Sequence, residues 1–145
     1  MKTAQLKKFF LVKNQSAWNS GAFLLLRLVA GYAFVLHGWP KFQNATHWMG
    51  PDSPVPALFQ FLAAFAEFGG GLAWILGLLF PLASLGLICT MGVAMSFHIF
   101  VKGDPFVGQS SYELAAIYLC MSVLFMVTGP GKYSLDQKVF GKRVG

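Results

Sequence analysis

Residues 57–101 form an apolar run that contains two ionisable side chains, Glu67 and His98. A bare carboxylate in the middle of a bilayer is costly unless it is paired, protonated or hydrated. Ionisable groups inside membranes commonly mark proton, ion or substrate paths. We therefore predict that Glu67 faces protein or water rather than lipid, and that acid–base chemistry is centred on it.

Other polar residues of the predicted spans fall into two levels. One group lies near one membrane surface, at the ends of the predicted helices: His37, Lys41, His98 and Glu113. Arg27 lies toward the opposite surface. We predict that Glu67, His98 and Glu113 handle protons. A polar cluster for binding is predicted from Arg27, His37 and Lys41.

Pairing between Arg27 and Glu67 would let each charge offset the desolvation of the other. Such a pair and its neighbours could form a polar column through the bundle. The alternative is structural: the pair would only fix helix packing, and His98 and Glu113 would end their helices among lipid headgroups.

Metal and thiol chemistry have weaker support in the sequence. No pair of histidines shows a spacing typical of a metal site, so no metal is predicted. Cys89 and Cys120 fall at similar depths of their spans and could form a redox pair. Free cysteines more often act as small apolar residues.

Composition identifies the protein class. The chain has 145 residues, of which 56% are hydrophobic and 11% are charged, whereas a soluble domain carries roughly 25% charge. We predict an integral membrane protein with one domain and the lipid bilayer as its main partner. The net charge of +6 comes from basic residues that flank the apolar runs, which is typical of topology signals rather than nucleic-acid binding.

The length of the apolar run determines the helix count. As one helix, residues 57–101 would be about 68 Å long, against a bilayer core of ~30 Å, so the chain must fold back, and Pro81 marks the turn. The predicted fold is an all-α, four-helix transmembrane bundle in residues 20–131, with spans at about 21–39, 57–79, 81–101 and 112–128. Residues 1–19 are predicted to lie in the membrane interface. Residues 132–145 are predicted to form a basic cytoplasmic tail with a helix start near Ser134.

Two further predictions concern orientation and packing. The basic flanks favour both termini in the cytoplasm, which places residues 40–56 and 102–111 outside. Small residues at spacings of three and four indicate the packing face of the second span: Ala63, Ala66, Gly70, Ala73 and Gly77.

Four stretches of the chain, in order, resemble the DoxX family. They are residues 26–31 with 37–42, residues 67–71 with 76–78, His98, and residues 112–114 with 129–136. The resemblance implies a four-helix, multi-pass protein of the bacterial inner membrane. It also implies a membrane component of an oxidoreductase system, with quinone as a candidate ligand, no covalently bound cofactor and an oxidoreductase subunit as a candidate partner.

Two other functions remain open from the sequence. One is a small transporter or channel-like protein for protons or a solute, which would use the polar column. The other is a membrane anchor for a soluble partner. A homo-oligomer is compatible with each of these functions.

Overall fold

The structure is a computed structural model that describes residues 15–140. Its helices are α1 (Ala17–Gln43), α2 (Ala57–Leu76), α3 (Phe80–Ser96), α4 (Glu113–Thr128) and the short α5 (Leu135–Phe140). A π-helical turn, Phe97–Lys102, extends α3. The predicted all-α four-helix bundle is confirmed. Most of the predicted interfacial segment 1–19 and residues 141–145 of the basic tail lie outside the described residues.

Helix length and composition fit a multi-pass membrane protein. Within residues 15–140, three helices are long and apolar enough to cross a membrane: α1, α2 and the continuous segment Phe80–Lys102. The fourth, α4, is apolar but has 16 residues. Ser16 begins α1 because its hydroxyl oxygen accepts a hydrogen bond from the backbone nitrogen of Asn19 at 3.1 Å, which satisfies a free donor of the first turn.

The fold-back at Pro81 is confirmed, with a shorter α2 than the sequence predicts. This helix ends at Leu76 because Gly77 takes the left-handed conformation with φ 65°. Leu79 also has a positive φ of 47°, which is unfavourable for a side chain of this size. Pro81 then lies in the first turn of α3, where a missing backbone donor costs nothing.

Glycines bring α1 and α2 into close contact. A Cβ atom added at Gly31 would lie 2.8 Å from the carbonyl oxygen of Gly71, and one added at Gly38 would lie 2.8 Å from Cα of Phe68. The predicted stripe lies on a different side of α2, where a Cβ at Gly70 would lie 3.1 Å from Leu87 of α3. Small residues do mediate packing, but the closest helix pair uses glycines that the predicted stripe omits.

A layer of aromatic rings fills the middle of the bundle. Trp74 packs edge-on against Phe34 at 5.4 Å and against Phe125 at 4.7 Å between ring centroids, and its indole nitrogen donates to Ser84 at 3.1 Å. Phe34 also contacts Tyr118 at 4.6 Å. This layer separates two polar regions, which we call the α5 end, around Arg27, and the cavity end, around Glu67.

Candidate functional site

A cavity of about 200 Å³ opens at the cavity end of the bundle. All four long helices contribute to its wall: Phe34, His37 and Lys41 from α1; Glu67 from α2; Met91, Ala94 and His98 from α3 and its extension; and Ser111, Leu114, Ala115 and Tyr118 from α4 and the residues before it. The wall combines one apolar side with a cluster of ionisable groups.

Lys41 and Glu67 form the central ion pair of this cavity. The Lys41 ammonium donates to both carboxylate oxygens of Glu67, at 2.6 and 2.7 Å. The Glu67 side chain is 4% exposed and the Lys41 side chain 27%. A carboxylate this deeply buried is stable as an anion only because its partner neutralises it.

The loop between α1 and α2 covers this ion pair. The ring of Trp48 lies 4.7 Å from the Lys41 ammonium, a favourable cation–π distance. Gln60 of α2 holds the loop in place: its carbonyl oxygen accepts from the Trp48 indole at 2.9 Å, and its side chain bonds the backbone at Met49 and Val55. The ion pair is therefore shielded from one side.

His98 reaches the cavity from the π-helical turn and pairs with a loop carboxylate. Its Nδ1 lies 2.6 Å from Oδ2 of Asp104, and the Ser110 hydroxyl donates to Oδ1 at 3.0 Å. The hydrogen bond with His98 is the main cause of the lowered pKa of Asp104. Single π-helical turns inside helices frequently occur at functional sites.

Arg27 belongs to a different structure at the α5 end. It is fully buried, and its guanidinium donates four hydrogen bonds to carbonyl oxygens: Trp74 at 2.8 Å, Ile75 at 3.0 Å, Pro130 at 2.8 Å and Tyr133 at 2.9 Å. The predicted pair between Arg27 and Glu67 is therefore wrong. Glu67 takes Lys41 instead, and Arg27 ties the end of α2 to the chain after α4.

Asp136 of α5 completes the α5 end. Its two carboxylate oxygens accept from the backbone nitrogens of Leu79 and Phe80, each at 2.8 Å. Burial raises the pKa of Asp136, while these two donors and the charge of Arg27 oppose the rise. The carboxylate of Asp136 thus satisfies two free backbone N–H groups at the start of α3. These hydrogen bonds offset the unfavourable backbone conformation of Leu79.

Comparison with known proteins identifies the family. The DoxX family model matches residues 22–101, which is more than half of the chain. This chain belongs to the DoxX family. No solved structure gives a significant match.

Three relatives of the chain cover most of its length. An uncharacterized protein of Haemophilus influenzae is 34% identical, over 81% of this chain and 90% of its own. A Bacillus subtilis protein named "Putative oxidoreductase CatD" is 30% identical, over 84% of this chain and 90% of its own. The "Inner membrane protein YphA" of Escherichia coli is 29% identical, over 79% and 88%.

In this DoxX-family bundle, four of the six candidate residues line one cavity: His37, Lys41, Glu67 and His98. His37 is exposed and stands at the rim. Glu113, in the first turn of α4, does not line the cavity, although its neighbour Leu114 does. The thiols of Cys89 and Cys120 are both free and exposed on the bundle surface.

Sequence reasoning missed Asp104 and Asp136 as partners of site and core residues. For Asp104, a signal existed: it follows His98 by six residues, and Gly103 between them ends the helix in the left-handed conformation. Such an ending turns the chain back toward the last helical turn. For Asp136, the predicted helix start near Ser134 gave the location but not the burial.

Proposed function

We propose that this DoxX-family protein is a membrane component of an oxidoreductase system in the bacterial inner membrane, and that it binds a quinone in the cavity. The observation that carries this proposal is the combination of an apolar wall with ionisable groups in one small cavity inside a membrane bundle. The names of the Bacillus subtilis and Escherichia coli relatives support the oxidoreductase system and the inner membrane, respectively.

The residues of the cavity fit the head of a quinone. The volume of about 200 Å³ lies below the roughly 300–1,000 Å³ of pockets that enclose drug-sized ligands, so it suits one ring system and leaves a tail in the lipid. Phe34, Met91 and Leu114 offer apolar contacts to a ring. Lys41 and Tyr118 carry hydrogen-bond donors for ring oxygens.

The chain itself would bind the ring, exclude water and move protons. A quinone supplies reversible transfer of two electrons and two protons when it is bound. Glu67 and His98 would accept protons from the reduced ring, at a carboxylate oxygen and at Nε2, respectively. Phe34 lines the cavity, and its ring packs against Trp74 of the aromatic layer. Electrons would come from a partner oxidoreductase subunit.

The orientation predicted from the basic flanks would place this cavity near the outer surface of the inner membrane. His98 and Asp104 would then connect the cavity with the periplasmic side. Fusions of a topology reporter near residues 48 and 106 would test this placement, which requires both positions to be exported.

A path for protons or a solute along the whole bundle has less support. Such a path would need to continue from Glu67 to Arg27. All four Arg27 hydrogen bonds go to backbone carbonyls at the α5 end. The rings of Phe34 and Trp74 lie between these two levels.

Quinone binding can be measured with the full-length protein in lipid nanodiscs. A short-chain naphthoquinone should quench tryptophan fluorescence in a saturable manner, because Trp48 borders the ion pair. His98→Gln should raise the Kd of the reduced naphthohydroquinone, measured without oxygen, about threefold to tenfold, as expected for one lost hydrogen bond between a ring hydroxyl and His98. His47→Gln is the matched control, because His47 is exposed in the loop between α1 and α2.

Two outcomes would count against the proposal. One is quenching that rises linearly with quinone and shows no saturation, which indicates partition into lipid only. The other is an equal effect of the two histidine substitutions. Co-purification of a soluble partner without quinone binding would instead favour the anchor function.

A further inference from the structure

The contact between His98 and Asp104 determines which ring nitrogen of His98 carries a proton, a property that goes beyond the proposed function. The carboxylate of Asp104 accepts hydrogen bonds when it is ionised, and its lowered pKa keeps it ionised at neutral pH. Its oxygen lies 2.6 Å from Nδ1 of His98. A neutral histidine carries one ring proton, so this contact places the proton on Nδ1.

The other ring nitrogen then acts as an acceptor. With the proton on Nδ1, Nε2 of a neutral ring has a lone pair and no hydrogen. His98 lines the cavity, whereas Asp104 lies in the loop that follows the helix. The ring therefore connects a carboxylate outside the cavity wall with the cavity itself.

Several features fix the carboxylate in place. The Asp104 backbone nitrogen donates to the carbonyl oxygen of His98 at 2.9 Å, which closes the chain over the π-helical turn. Gly103 makes this closure possible with a φ of 67°. The Ser110 hydroxyl holds the second carboxylate oxygen at 3.0 Å. This arrangement leaves Asp104 little freedom to turn away from His98.

We propose that Asp104 is a positioning residue that holds the Nδ1-protonated tautomer of His98 and presents Nε2 to the cavity as a hydrogen-bond acceptor. The cavity then selects ligand groups that donate a hydrogen bond, such as a phenolic hydroxyl. Glu67 adds a second acceptor, because the Lys41 ammonium occupies only part of the lone-pair capacity of its carboxylate. The selectivity rests on the proposed function, while the tautomer of His98 is independent of it.

The tautomer can be read directly by nitrogen NMR. The full-length protein is labelled with ¹⁵N-histidine, placed in nanodiscs and measured at pH 8, where free imidazole is neutral. The chain has three histidines, and His98→Gln assigns the signals of the site. We expect a protonated Nδ1 and a bare Nε2 for His98. Asp104→Ala should shift the ring toward the Nε2-protonated form that free imidazole prefers.

Two matched variants separate positioning from general loop disturbance. Asp52→Ala removes an exposed carboxylate from the other loop at the same end of the bundle and should leave the spectrum unchanged. Ser110→Ala removes one support of Asp104 but keeps the contact with His98, so the wild-type tautomer should persist. The wild-type spectrum tests the assignment by itself if Asp104→Ala fails to fold.

A binding experiment tests the consequence for ligands. A naphthohydroquinone is compared, without oxygen, with its dimethyl ether, which has the same ring system but no hydroxyl donors. The wild type should prefer the hydroquinone, and Asp104→Ala should reduce this preference about threefold to tenfold.

The results that overturn the proposal differ from those that overturn quinone binding. A bare Nδ1 or a doubly protonated ring in the wild type, or an unchanged tautomer in Asp104→Ala, contradicts the positioning role. An unchanged preference in Asp104→Ala contradicts the selectivity. Absence of binding of both probes to the wild type contradicts the proposed function, and the nitrogen spectrum then still decides the role of Asp104.

Discussion

In the part of the chain that the structure describes, three buried charges are stabilised in three different ways. Glu67 has an ion pair with Lys41, Arg27 has four carbonyl oxygens, and Asp136 has two backbone nitrogens. Without its partners, each buried charge would keep its full desolvation penalty. This penalty is larger than the net contribution of a hydrogen bond to stability. The partners therefore determine what each substitution does.

Arg27→Lys tests the role of the guanidinium at the residue scale. An ammonium keeps the charge but has three donors on one atom and cannot reach four carbonyl oxygens around a planar group. We expect a loss of about 3 kcal/mol or more, since each buried acceptor left without a donor costs roughly 1–3 kcal/mol. Unfolding in mixed micelles measures the change. Lys132→Ala, at an exposed position, should be within about 0.5 kcal/mol of the wild type.

Double-mutant cycles distinguish the true partner of Glu67 from the rejected one. The cycle of Lys41→Met with Glu67→Leu should give a coupling above about 1 kcal/mol, because the two side chains meet at 2.6 Å. The cycle of Arg27→Met with Glu67→Leu should be additive within about 0.5 kcal/mol. A strong coupling in the second cycle would restore the pairing that the sequence suggested.

At the scale of the helices, close packing of α1 on α2 depends on Gly31, Gly38 and Gly71. Added side-chain atoms at these positions would meet backbone atoms of the neighbouring helix, which cannot move aside. In a membrane, such contact is a main source of helix association, because lipid gives no hydrophobic drive. These glycines therefore hold Lys41 and Glu67 at the distance that their ion pair needs.

Gly38→Ala and Gly92→Ala form a matched pair for this idea. The first adds a methyl group 2.8 Å from Cα of Phe68, whereas the second adds it where nothing lies within 4 Å. Gly38→Ala should lower the free energy of unfolding by about 1–3 kcal/mol. Gly92→Ala should be neutral or stabilising by up to about 1 kcal/mol, because alanine favours helix. Equal effects in mixed-micelle unfolding would argue against a specific glycine contact.

The sequence predicted the positions of the helices better than it predicted which helix faces pack together and which charged residues pair. Apolar length and Pro81 were sufficient for the four helices and the fold-back. The run Gly69-Gly70-Gly71 offers small residues to more than one neighbour, so spacing alone could not show that Gly71 meets α1 while Gly70 meets α3. Depth along the bundle grouped His37, Lys41 and His98 correctly with each other.

The partners of the charged side chains could not be predicted from the spacing of residues along the chain. Lys41 lies one residue after Pro40 inside a helix that continues to Gln43, whereas the sequence suggested that the helix ends at Trp39. This continuation places the Lys41 side chain beside Glu67. Arg27 was free to bond carbonyl oxygens only because α2 ends early and because the chain after α4 returns over its end. Both effects depend on tertiary packing.

At the scale of the whole molecule, the aromatic layer divides the bundle into two ends with different roles. At the α5 end, Arg27 and Asp136 form hydrogen bonds within the protein. These bonds join α2, the α2–α3 turn, the chain after α4, and α5. The cavity end keeps ionisable groups beside open space. We infer that the first end supplies stability and that the second supplies binding.

Asp136→Ala tests this division. It removes both acceptors from the nitrogens of Leu79 and Phe80 and leaves the positive φ of Leu79 without its compensation. We expect a loss of about 1–3 kcal/mol of stability, and a smaller loss for Asp136→Asn, which keeps one carbonyl oxygen as an acceptor. In the fraction that remains folded, the Kd for naphthoquinone should stay within twofold of the wild type, because the aromatic layer separates the two ends. A Kd that rises in step with the loss of stability, with the protein still folded by circular dichroism, would mean that the C-terminal helix also shapes the cavity, and the two ends would then form one cooperative site.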